Sequence, residues 1–476
     1  MKKPYFAKIF CLSILIILVS SCTGKGFSNG NSSSIFVEMT NKEDIEKIDI
    51  DNLKNKEISI TIWSASNSKQ YNLVNKYIND FKILFPKVNI TQLDQGNAED
   101  LDYNLTAAIA AKETPTIAII DHSYIADYIS YNAIEIINPY MDAINTKIEN
   151  NDRADYISEF WLNGSSFSLD ESIYSLPLFN YSNILYYNST LIKDLNINMD
   201  DLNWSNESEN SIINIARKIK KTNKSIVPLY IENPISLYKL LTYQSEIPYT
   251  KLTGKVDGDF LFTSNEVVSI IQDIKQWIDE GLLVLGKNLN ITEGQNPFND
   301  KIAMSIAPNN YYSKYQSSNN VLASMIPQVN KDKTYNEIIS EDFIIFKKEP
   351  IETKIIAWLF YKFITSKEND ITTTLSCSTL PLRYSFFESS SYNDAISNES
   401  NNNKLKISSL KLYEDLINNI QAEPSFVGKR VSDKEIGKLL MTISNNDFSS
   451  LSLKAREEFI KDCLLEAYKQ SVLAQG

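Results

Sequence analysis

The feature that most restricts this chain is the alternation of β-branched and amphipathic runs between Glu57 and Ile129. Glu57–Trp63 alternates apolar and polar residues and reads as a strand. Tyr71, Val74, Tyr77, Ile78 and Phe81 recur at helical spacing as far as Phe85, and Pro86 stops that helix. Lys87–Gln92 is the next strand, Asp100–Ala111 an alanine-bearing helix, Thr114–Asp121 a third strand, and another helix runs through Ile129. This order implies a parallel sheet with crossover helices. In open α/β sheets ligands sit beyond the carboxyl ends of the strands, which points to Trp63–Asn67 and Asp121–Tyr124. Trp63 ends a strand and is either a stacking platform or core. Asp121 and His122 either bind ligand hydroxyls or cap the strand end.

The chain has 476 residues, too many for one ordinary core and enough for two lobes. Tyr174–Asn188 reads as a passage between them. Pro177 lacks a backbone donor and holds Leu176 extended, so Leu176–Leu178 suits a crossing strand. Ile184–Tyr187 is a short apolar and aromatic strand, and Asn188 offers a cap for the helix after it. The polar run Asn180-Tyr181-Ser182-Asn183 between these pieces opens onto a cleft if two lobes flank the crossing.

Composition narrows the chemistry. The formal net charge is -12, which argues against a nucleic-acid partner. No glycine-rich nucleotide loop is present. His122 is the only histidine, so histidine-based metal sites and catalytic triads are disfavoured away from it. No cofactor and no metal is expected. Cys377 and Cys463 either pair or remain free thiols.

At the amino end, Lys2, Lys3 and Lys8 precede an apolar stretch from Ile9 to Val19, too short to span a membrane as a helix. Val19-Ser20-Ser21-Cys22 resembles a lipoprotein signal, cleaved before Cys22 with lipid added to its thiol. Residues 1–21 are then a signal peptide and 22–56, Gly/Ser/Asn-rich and then acidic, a flexible tether.

Several phrases resemble the extracellular solute-binding proteins of ABC importers, in the group that binds sugars and glycerol phosphates. They are Ile60–Trp63, Phe81–Ile90, Leu105–Asp121, Asn132–Tyr140, the crossing Ser175–Asn188, Phe298–Pro308 and Ser376–Arg383. The resemblance implies an α/β, two-lobe periplasmic-binding-protein fold of type II. Each lobe is a mostly parallel sheet flanked by helices, and crossing hinge strands join them. Residues 57–175 with 327–377 form lobe 1, and 176–326 with 378–476 form lobe 2. By analogy Asn180, Tyr181, Ser182, Asn309, Tyr311 and Thr379 face the cleft, and Arg430 meets a charged part of the ligand or makes a surface salt bridge. Ser340-Glu341-Asp342 stand where relatives carry paired glycines, so Ser340 and Glu341 join the candidate set with Trp63, Asn67, Asp121 and His122. The function implied is capture of a sugar, oligosaccharide or glycerol phosphate by hinge closure and delivery to ABC permease subunits. The protein would be a monomer outside the cytoplasm, held to a membrane through Cys22, and not an enzyme. The alternatives are a solute sensor or adhesin on the same fold, or a glycoside hydrolase using Asp121 with Glu341.

Overall fold

The computed structural model describes residues 40–476 apart from 66–67, 206–207, 209, 290–294, 300, 319 and 398–403. The first strands are β1 (Ile58–Ser64), β2 (Val88–Asp94), β3 (Ile117–Asp121) and β4 (Leu176–Tyr181). After Ser182 come β5 (Asn183–Asn188), β6 (Val227–Ile231), β7 (Thr250–Leu252), β8 (Gly258–Phe260), β9 (Leu283–Leu285), β10 (Ile302–Pro308) and β11 (Val321–Ser324). The chain returns through β12 (Asn336–Glu337) and β13 (Ile339–Ile345), and β14 (Ile420–Gln421) lies in the carboxyl-terminal part.

Two five-stranded sheets result, ordered β2-β1-β3-β13-β4 and β11-β5-β10-β6-β9. β1 runs parallel to β2 and β3, with β13 antiparallel beside β3. β6 runs parallel to β9 and β10, with β5 antiparallel between β10 and β11. This is the mixed α/β architecture the alternation implied.

Local chemistry accounts for the helix boundaries. Asn97 closes a capping box with Asp100 at the start of Ala98–Ala111. Asn188 caps Ser189–Asp194 through Leu191 N–H, and Ser211 caps Ile212–Thr222. The tail begins with two short helices, Lys404–Lys411 and Tyr413–Ile417.

The passage between sheets falls one strand later than Pro177 suggests. β4 is buried along its whole length and pairs with β13 in the first sheet, so the chain crosses at Ser182. Pro177 leaves its mark as a register shift between Glu341 and Asp342, where β13 pairs first with Phe179 and then with Pro177. A residue without an N–H cannot continue the ladder, and a bulge absorbs the mismatch. Strand Val321–Ser324 pairs with β5 in the second sheet, and the return follows through β12 and β13.

Three buried apolar clusters support this frame. One underlies the first sheet and extends through the crossing to Tyr186 and Ala307. The second underlies the other sheet, with Trp204 stacked on Trp277 at 5.7 Å. The third covers the opposite face of the first sheet around Leu101, Tyr124 and Phe167. Cys377 and Cys463 are both free, and burial pushes the Cys377 thiol up to about 11.

Candidate functional site

A cavity of about 310 Å³ lies where β3, β6 and β10 end, with the β12–β13 return and the segment Glu423–Asp433 completing its walls. Strand ends gather polar side chains because backbone donors and acceptors there have run out of sheet partners. Among the expected residues, Asp121, His122, Tyr311, Ser340 and Arg430 line this cavity. Tyr311 is the one tyrosine, phenylalanine or tryptophan among the described lining residues.

On the first-sheet side, His122 is held from three directions. Its Nδ1 is 2.8 Å from Asp342 Oδ2 and its Nε2 is 3.1 Å from Ser166 Oγ. Its ring packs on Phe167 with centroids 4.6 Å apart. Asn163 Nδ2 donates to Ser340 Oγ at 3.2 Å, and Ser175 Oγ donates to the same Asp342 oxygen. Ser166 does not line the cavity, so its hydroxyl fixes the imidazole rather than meeting a ligand. Asp121 accepts from Ser123 N–H at 2.9 Å and turns toward the cavity rim.

On the second-sheet side the wall is a buried charge network. Lys239 Nζ lies 2.8 Å from Glu337, 3.3 Å from Glu423 and 3.4 Å from Asp433. Lys429 Nζ lies 3.0 Å from Glu423 and 3.1 Å from Asp433. Ser236 and Asn183 donate to Glu337, Tyr249 donates to Asp433, and Tyr335 donates to Glu423. Burial opposes the Lys239 charge, but the Asp433, Glu337 and Glu423 carboxylates outweigh it and hold the ammonium well above its ordinary range. Burial likewise opposes the Glu423 charge, and Lys239, Lys429 and the Tyr335 hydroxyl overcome it, bringing that carboxyl down to about 2. Of these residues Asn183 belongs to the polar run of the crossing, and Lys429 is the neighbour of Arg430 in sequence. Lys239 sits inside an apolar helical run, Pro234–Gln244, and a lone lysine there was the available signal.

Arg430 occupies the first turn of helix Lys429–Asn445 rather than the loop before it. Gly428 makes the turn possible. Its φ is +86°, and a Cβ would lie 3.0 Å from the Ser471 carbonyl oxygen. The Arg430 guanidinium lies 4.2 Å from the centre of the Tyr124 ring and 3.7 Å from the Asp102 carboxylate. Its Nε has no hydrogen-bond partner among the described residues.

The remaining candidates do not line the cavity. Asn180, Tyr181, Ser182, Asn309 and Thr379 are buried in the crossing. Ser182 Oγ donates to the Glu337 carbonyl at 2.7 Å, and Gln70 donates to Tyr181 Oη at 2.8 Å. Asn309 bonds Ser182, Ser378 and Tyr413. The Asn180 amide is fully buried with neither end partnered among the described residues. Trp63 is half-buried against the Leu101–Phe167 cluster. Asn67 and Cys22 lie outside the described residues.

Glu341 pairs across from Asp121 in the ladder but is not among the residues that line the cavity. Burial, with Asp121 and Asp342 nearby, raises its carboxyl to about 7 against a Gln70 hydrogen bond that lowers it. A carboxyl raised in the fold stabilises below its unfolded value near 4.5, and that contribution disappears as pH rises through about 7. Glu341→Gln should therefore be neutral below pH 4.5 and stabilising by about 3 kcal/mol above pH 8. Urea unfolding at both pH values measures this, and an equal effect at the two would contradict it.

Comparison with known proteins agrees with this frame. Residues 65–371 match the family of bacterial extracellular solute-binding proteins, and the chain belongs to that family. Its fold is similar to that of the sugar-binding protein MalE from Xanthomonas citri, with TM-score 0.70, 13% identity, and 87% of this chain and 98% of that one covered. It is similar to the cyclic alpha-maltosyl-1,6-maltose binding protein of Arthrobacter globiformis, at TM-score 0.67 and 12% identity over 87% of this chain and 100% of that one. UgpB from Mycobacterium tuberculosis, solved with glycerophosphocholine, matches at TM-score 0.65 and 13% identity over 87% and 98%. No curated protein matches in sequence.

Proposed function

We propose that the chain is the substrate-binding lipoprotein of an ABC importer, anchored through Cys22, which captures a small anionic polyol of the glycerol-phosphate kind. The observation that carries this reading is Arg430. It lines the cavity with a guanidinium whose nearest acid is 3.7 Å away and whose Nε is unpartnered among the described residues. An arginine fork suits phosphate or carboxylate. Hydroxyls have partners in Ser340, Asn163 and Asp121. With Tyr311 the one large aromatic side chain among the described lining residues, the site favours a short polyol over a long oligosaccharide, which would need more stacking surface. The solute would bridge walls built on both sheets, so it selects the closed arrangement and is released to permease subunits when that arrangement opens. The protein acts as a monomer and leaves its solute unaltered: Asp121 and Glu341 do not face one cavity, so no observation favours glycoside hydrolysis.

A thermal-shift series tests the reading, since a ligand bound only by the native state raises the melting temperature. sn-Glycerol 3-phosphate or glycerophosphocholine should raise it, and maltose should not. Arg430→Ala should weaken binding of the anionic solutes about ten- to a hundredfold, the weight of one charge-assisted hydrogen bond. An undiminished shift in that variant would remove Arg430 from the site.

A further inference from the structure

Val256 tips the hairpin made by β7 and β8 and takes φ +50°, a region a β-branched residue avoids. The hairpin's stem belongs to the second sheet's core, where Tyr249, Phe260 and Phe262 are buried. Its tip does not. Val256 is buried among Leu101, Tyr124, Phe167 and Tyr174, on the first sheet's side of the cleft. The backbone is tied there as well. Val256 N–H donates to the Phe167 carbonyl at 2.7 Å, and Val427 N–H donates to the Val256 carbonyl at 3.1 Å. Ser425 N–H donates to the Ser166 carbonyl at 3.0 Å, extending the seam. At Gly258 a Cβ would lie 2.4 Å from the Phe426 ring, so the stem packs directly on the tail segment. Ser166 and Phe167 are also the residues that hold His122, which lines the cavity.

We propose that the Thr250–Phe260 hairpin is an interlobe latch in which Val256 acts as a positioning residue for solute capture. Strained backbone persists only where its surroundings over-determine it. The apolar socket and the carbonyl of Phe167 that hold Val256 come from the opposite lobe, while Val427 of its own lobe bonds only its carbonyl, so the strained tip is fully held only while the lobes are closed. The contacts of His122 with Ser166 and Phe167 join the latch to the cavity, so a solute on His122 steadies the latch. Because apparent affinity falls with the populated fraction of the binding-competent state, the latch sets affinity without touching the solute. The inference rests on the two-lobed capture reading above.

Small-angle X-ray scattering of the full protein without solute tests it, with Val256→Asp and Val256→Gly beside the parent. Aspartate places a charge in an apolar socket. Glycine accepts the backbone conformation but leaves the socket empty. Both should raise the radius of gyration and the maximum dimension. If the aspartate variant fails to fold by circular dichroism, the glycine variant decides. Unchanged dimensions in a folded variant overturn the latch, and so does a lowered melting temperature without opening. A parent whose melting temperature rises with glycerol 3-phosphate but whose variants stay closed loses the latch and keeps the capture reading. Variants that open, with a parent unmoved by any solute tried, keep the latch and lose that reading.

Discussion

Replacing Lys239 with methionine should cost about 3–5 kcal/mol of stability, the range for breaking a buried charge pair by removing one partner. Methionine matches the length of the lysine stem, so the cavity changes little in shape. The cost comes from the acids left behind. Glu337, Glu423 and Asp433 would then share Lys429 alone, which of these three acids reaches Glu423 and Asp433. Glu337 would keep only the Ser236 and Asn183 donors on its buried carboxylate. The same substitution should change the acid limb of the stability curve. Glu423 is depressed to about 2 in the fold, so it stabilises fully above its unfolded value near 4.5 and loses that contribution as pH falls through about 2. Without Lys239 that depression shrinks, and the slope of stability between pH 4.5 and 2 should flatten. Urea midpoints at pH 7 and pH 3 measure both effects. A variant as stable as the parent at pH 7 would mean the network is dispensable.

Asn309→Ala should cost about 3–4 kcal/mol, from three hydrogen bonds at about 1 kcal/mol each and an orphaned buried donor. Asn309 is fully buried where the segments between the sheets meet. Its Oδ1 accepts from Ser182 N–H at 3.0 Å, while its Nδ2 donates to the Ser378 carbonyl at 2.7 Å and to Tyr413 Oη at 2.9 Å. One amide thus ties the first crossing, the stretch after Cys377 and a tail helix together. Asn309→Asp should not rescue it. A carboxylate keeps the acceptor for Ser182 but turns an acceptor toward the Ser378 carbonyl. Denaturant unfolding of both variants is the check, and a loss below about 1 kcal/mol, the worth of a single hydrogen bond, would show that the amide is not the tie described.

Residues near each other in sequence were the readable ones. The spacing from Tyr71 to Phe85 needs only the helical period and a proline stop, and the helix Ser68–Leu84 ends within a residue of that reading. Asn188 caps its helix because the acceptor and Leu191 N–H are three residues apart. Asp121, His122, Tyr311, Ser340 and Arg430 were located by the rule that strand ends face the ligand and by family resemblance, and they converge on one cavity. Glu341 was misjudged for a local reason. Side chains alternate along a strand, and its neighbour Ser340 took the cavity side. Asn309 and Thr379 were placed at the cleft, but the crossing absorbs them as structural polar groups.

The order of strands and helices was written in the chain, because hydrophobic period and capping are short-range properties. So was membership in a class whose sheets place polar loops at their carboxyl ends. Which charges share a wall was decided only by the folded arrangement. Lys239 meets Glu337, Glu423 and Asp433 across separations of 98, 184 and 194 residues. Such a pairing has no period and no local signature. It exists because two sheets, a return strand and a tail helix enclose a low-dielectric space, in which each buried charge must find its opposite.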